Sequence, residues 1–147
     1  MSVYRAVVGL IAITPSTGYV SITSALIVGL AAGAISNLVA KWRAGRSKID
    51  YTLDAFACHG AGGIWGSIAT GLFASAAFNG VNGLLFGNAD LLVAQVFAVI
   101  VVGVFAFFGS YLLLKLVNVL SSLRVSPQAE DAGLDFSQHG EEAYQLD

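Results

Sequence analysis

The sequence predicts an all-α membrane protein with three full transmembrane helices and a truncated one. Three observations carry that expectation. Of 147 residues, 56% are hydrophobic and 11% are charged, against roughly 25% charged in an ordinary soluble domain. Residues 21–40, 55–89 and 91–114 contain no Asp, Glu, Lys or Arg. An α-helix needs about 20 such residues to cross a hydrocarbon core of roughly 30 Å. Three stretches of this kind in so short a chain leave little sequence for a soluble core.

The elements follow in order. Residues 3–13 are apolar, too short to cross alone, and end at Thr14-Pro15-Ser16-Thr17-Gly18, a helix stop and turn signal. A second span is expected over about 22–40, closed by the basic residues Lys41, Arg43, Arg46 and Lys48. A third covers about 52–74, followed by an uncharged loop rich in Gly and Asn over 75–88. The last span, 89–120, would measure about 48 Å as a helix, so part of it should project beyond the bilayer. Residues 1–124 thus form the transmembrane region, and 125–147 an acidic tail.

Orientation comes from the Lys and Arg residues. Alternate threading places Arg5, the 41–48 loop, Lys115 and Arg124 on one side, which accounts for all seven basic residues. That side is expected to be cytoplasmic. The tail, with six acidic residues and no Lys or Arg over 126–147, lies there too. One cysteine, Cys58, excludes an internal disulfide. No signal-peptide pattern opens the chain.

His59 is the ionisable residue placed inside a span, a position that is costly and marks a functional candidate. At 100° per residue, Thr52, Ala55, Gly62, Gly63, Gly66 and Thr70 fall within about 60° of it. This stripe of small residues has three readings: close helix packing through Gly62 and Gly66, a narrow lumen lined by backbone and one imidazole, or a histidine bonded to a neighbouring helix. Asp54 lies about 140° away in the first turn, where a carboxylate caps a helix N-terminus. Gly29 and Gly33 make a GxxxG pair suited to packing. Nothing reads as a nucleophile–base pair, a metal cluster or a phosphate loop, so neither an enzyme nor a cofactor is expected. No nucleic-acid partner is expected either.

Several runs resemble the Amt/Mep ammonium transporter family. Asp54-Ala-Phe-Ala-Cys-His59-Gly-Ala-Gly-Gly-Ile-Trp65-Gly66 is similar to the tenth helix of that family, and Ala12-Ile-Thr14-Pro15 to the segment joining its eighth and ninth. Leu123-Arg124-Val125, Gly133-Leu134-Asp135, His139-Gly140-Glu141 and Ala143-Tyr144 resemble the cytoplasmic signature of its bacterial members. The likeness runs through residues 7–144, and residues 1–5 show no match.

The resemblance implies a partial ammonium-transporter fold: part of helix eight, then helices nine, ten and eleven of an eleven-helix fold built as an inverted repeat. It implies ammonium or ammonia as the transported solute, a homotrimer in the cell (inner) membrane, and a PII-type regulatory protein at the cytoplasmic face. His59 would be one of two pore histidines in a proton relay, with Ala55, Gly62, Gly63 and Gly66 lining the pore and Asp54 capping nearby. Arg124, Gly133, Asp135, His139, Gly140, Glu141 and Tyr144 would serve tail regulation. The other pore histidine and the first repeat lie outside this sequence, so the chain is expected to be a fragment that does not conduct alone. The alternative is a non-transporting sensor or regulatory subunit acting through its tail.

Overall fold

The computed structural model describes residues 2–46 and 54–141. Among them every regular element is helical. Contacts divide the chain into two units, Met1–Val102 and Gly103–Asp147.

In the first unit, helix α1 (Ser2–Ile13) runs into a 3₁₀ turn at Thr14–Ser16. Pro15 lacks the N–H that a continuing helix needs. Thr14 and Thr17 return their hydroxyls to the carbonyls of Leu10 and Ile13, at 2.9 and 3.0 Å. Gly18, at φ +83°, then turns the chain. Helix α2 spans Ile22–Arg46. Its end lies beyond the expected residue 40, because Lys41, Arg43 and Arg46 continue the helix instead of forming a loop. Basic side chains suit a last turn, where they face free carbonyls and the negative end of the dipole. Lys48, Thr52 and Leu53 lie outside the described residues.

The third span begins at Ala55 and opens with a π-helical turn, Phe56–Gly60, that leads directly into helix α3 (Ala61–Phe73). Helices α1, α2 and α3 bury Val8, Ala12, Val28, Ala32, Cys58 and Ala69 between them, flanked by Ile11, Ile13, Trp65 and Phe73. This core is made of small residues. Lipid is as apolar as leucine, so helices in a membrane gain from close approach rather than from escaping water. A methyl group on Gly66 would strike the carbonyl oxygen of Ala12, and one on Gly9 would lie 4.0 Å from the Gly29 Cα.

The Gly- and Asn-rich loop is ordered by its own side chains. Ser75 caps the short helix α4 (Ala76–Asn79), and Asn82 accepts from the Ala76 amide at 2.8 Å. The Ser75 amide donates to the Tyr19 carbonyl (2.9 Å), tying the end of α3 to the turn after α1. Gly83 donates to Ala74 at 2.7 Å, and a Cβ there would stand 2.6 Å from the Gly71 carbonyl oxygen, so only glycine fits. Asn88 accepts from the Asp90 amide at 3.0 Å and starts helix α5 (Asp90–Leu120). Gly71 receives that helix, since its Cβ would fall 2.6 Å from the Leu92 Cα.

Helix α5 passes from the first unit into the second, and its 31 residues span about 46 Å. In the second unit the helix ends where Asn118 accepts from the Leu123 amide at 3.3 Å. The tail is a compact turn structure rather than a bare acidic extension. Ser126 caps α6 (Pro127–Asp131), with Pro127 in its first turn. Gly133 and Gly140 take φ +88° and +67° on either side of a π turn at Asp135–His139. The Ser137 hydroxyl bonds back to the Ala129 carbonyl at 3.0 Å, and Arg124 meets the Glu130 carboxylate with two nitrogens at 3.0–3.3 Å.

Among the described residues two helices, Ile22–Arg46 and Asp90–Leu120, are long and apolar enough to cross a membrane by themselves. The third expected span reaches comparable length only when the π turn and α3 are taken together. Residues 55–73 then measure about 28 Å, counted at the α-helical rise.

Candidate functional site

His59 stands in the π turn, which is closed by the Ala61 amide donating to the Phe56 carbonyl five residues back. Single π turns inside α-helices are uncommon and concentrate at functional sites. Just before it, the Cys58 amide donates to the Asp54 carbonyl at 2.9 Å. The ring of Phe56 folds over Gly60, whose absent Cβ would lie 2.6 Å from it. Glycine at position 60 thus lets a phenylalanine lie along the helix one turn before it.

The π turn changes which residues share a face. A turn closed five residues back advances each residue by less than 100°, so positions after it lag behind an α-helical wheel. The buried stripe runs through Cys58, Gly62, Gly66 and Thr70, with Ala57 and Ala69 beside it. His59 and Ala55 are exposed, and Gly63 is half-buried with nothing within 4 Å of its Cβ position.

The described positions grouped by the wheel therefore separate. Ala55, His59 and Gly63 follow one another at four-residue steps on the open side. Gly62 and Gly66 turn inward, where a Cβ on Gly62 would rest 3.5 Å from Ile11 and one on Gly66 would collide with Ala12. These contacts match the close-packing reading of the two glycines.

Behind the open side, α3 is held by polar contacts that sequence reasoning missed. Thr70 Oγ1 donates to the Gly66 carbonyl at 2.9 Å, and the fully buried Ser16 hydroxyl lies 2.9 Å from Thr70 Oγ1. Trp65 Nε1 donates to the Val28 carbonyl of α2 at 3.0 Å. Ser16 belongs to the Thr-Pro-Ser turn, whose signal was its proline; nothing in the sequence indicates its partner 54 residues away.

Asp54 also differs from expectation. Its carbonyl accepts the first helical bond, but its carboxylate reaches another helix: Oδ1 is 2.9 Å from Arg43 Nε of α2. Asp54 adopts φ +48°, and among the described residues it is the one non-glycine with positive φ. Gly29 and Gly33 face an open groove shared with Ala6, Leu30, Ala34 and Asn37. Among the described residues no group of His, Cys, Asp and Glu could hold a metal ion. In the tail, Arg124, Gly133, Asp135, His139, Gly140 and Glu141 occupy the α6 and π-turn region, while Tyr144 lies outside the described residues.

Comparison with known proteins places the chain in a family. Residues 3–144 match the family model described as the Ammonium Transporter Family. The chain is 48% identical over 139 residues to ammonium transporter Amt1 of Archaeoglobus fulgidus, covering 95% of this chain and 35% of that protein. It is 40% identical over 146 residues to the ammonium transporter of Bacillus subtilis, covering 98% and 36% respectively. The crystal structure of Saccharomyces cerevisiae Mep2 superposes with a TM-score of 0.76 at 28% identity, over 83% of this chain and 29% of Mep2. The chain thus spans about a third of the length of the relatives it matches. By the family match and these identities, it belongs to the ammonium transporter family.

Proposed function

We propose that this chain forms one wall of an ammonium or ammonia passage, with His59 as its proton-handling residue and Ala55 and Gly63 beside it. The observation that carries the reading is the position of His59: an ionisable side chain on an apolar helix, exposed on the side that α1 and α2 leave open. A bare ammonium ion in an apolar channel costs many kcal/mol, whereas neutral ammonia passes far more cheaply. A neutral imidazole offers one donor and one acceptor nitrogen, which suits passing a proton apart from the ammonia. Potassium, which has no proton to lose, would be refused.

The chain acts within a larger pore, because a single open face does not enclose a lumen. The assembly is a homotrimer in the cell membrane with the tail in the cytoplasm. There, Arg124, Gly133, Asp135, His139, Gly140, Glu141 and Tyr144 form a regulatory surface for a PII-type protein. The locally folded tail supports that part of the reading.

The test is uptake of labelled methylammonium by cells carrying a hybrid in which this chain replaces the matching third of Amt1 of Archaeoglobus fulgidus. The hybrid should restore uptake, and His59→Ala should lower it at least tenfold. Uptake that survives His59→Ala removes the assignment of His59. Uptake by cells expressing this chain alone overturns the claim that it works within a larger pore.

A further inference from the structure

We propose that Arg43 and Asp54 are positioning residues, an inter-helix ion pair that holds the turn bearing His59 in place. The importance of His59 rests on the pore reading above, but the pair itself rests on geometry. Asp54 occupies the left-handed region at φ +48°, uncommon for an L-residue although Asp and Asn enter it more readily than most. Two contacts hold it here. The Asp54 carbonyl accepts from the Cys58 amide at 2.9 Å, fixing the backbone from the His59 side. The carboxylate lies 2.9 Å from Arg43 Nε, fixing it from α2.

Both charged atoms of that contact are buried, although about a quarter of each side chain remains exposed. With Arg43 removed, the buried Asp54 Oδ1 is left without that charge beside it. Breaking the pair therefore disturbs the start of the His59 turn rather than trimming an exposed pair. Simple capping of a helix N-terminus needs only the aspartate. A positioning pair needs Arg43 as well, and the two can be told apart.

The chain has two histidines, His59 and His139, so histidine-labelled protein in lipid nanodiscs gives two imidazole signals, assigned with His139→Gln. The readouts are the His59 signal and amide exchange over residues 54–60, with exchange over 61–73 as the folding reference. Asn tolerates the left-handed region about as well as Asp, so Asp54→Asn removes the charge alone. Asp54→Asn and Arg43→Gln should each shift or split the His59 signal and speed exchange over 54–60 at least tenfold, leaving 61–73 unchanged. The double variant should match either single one, because the two residues act as a unit. Arg43→Lys keeps the charge and should stay within threefold of the native chain.

If Asp54→Asn fails to fold, the contrast between Arg43→Gln and Arg43→Lys decides the matter. Unchanged exchange and signal in Arg43→Gln, or additive effects in the double variant, overturns the proposal. Neither readout measures transport. A passive His59 in uptake assays would remove the pore reading and leave this result standing.

Discussion

Gly60 and Gly66 lie six residues apart on one helical stretch, and a methyl group at each meets a different kind of neighbour. At Gly60 it meets the ring of Phe56, a side chain 61% exposed rather than part of the backbone. At Gly66 it meets the backbone of Ala12, which can move only if two helices separate. Gly60→Ala should therefore cost less than about 1 kcal/mol, whereas Gly66→Ala should cost about 1–3 kcal/mol, as overpacking does. Thermal unfolding of the detergent-solubilised variants checks the order; equal losses would show that the α1–α3 contact is looser than described. Trp65→Phe keeps most of the packing and leaves the Val28 carbonyl without its indole donor, a loss of about 1 kcal/mol in the same assay.

At the scale of elements, the uncharged stretches located helices α2 and α5 but placed the end of α2 too early. Uncharged stretches mark where a helix can sit in lipid. They do not mark where it stops, because Lys41, Arg43 and Arg46 are good helix formers, and the exposed Lys41 and Arg46 reach water from a helical backbone. The π turn had no compositional signature at all. It changes hydrogen-bond spacing within a run of small and aromatic residues, and with it which of the glycines face inward. His59 stood out because an ionisable residue inside a span is rare. Its connection to Arg43 did not, since the pair joins two helices across residues 47–53.

In the tail, Ser126 and Pro127 open α6 and Gly133 follows its end at φ +88°. Ser126→Ala should loosen α6 by about 1 kcal/mol and hasten proteolysis of the tail. Glu130→Gln breaks a largely exposed pair and should change proteolysis little. The reverse ranking would mean that the ion pair, not the cap, holds α6.

For the whole molecule, α5 sets the terms. Its 18-residue apolar window has none of its residues buried by the chain, so lipid or other protein must cover it. Phe105, at mid-helix, is 77% exposed. Phe105→Arg should reduce the inserted fraction of α5 in a glycosylation-mapping assay by the equivalent of about 2.5–3.5 kcal/mol; full insertion would place that position against a polar cavity. The first unit poses a different constraint, one of length. Gly66 against Ala12 fixes where the histidine helix lies, and Asp54 against Arg43 fixes where it starts. Between those two anchors the number of residues is set, and the wider turn takes up the one residue that an α-helix would not accommodate. Deleting a residue there would rotate the segment before it by about 100° relative to the packed face, separating aspartate from arginine. Insertions and deletions should thus be excluded from residues 55–65 more strictly than from the exposed loop tip at 76–81.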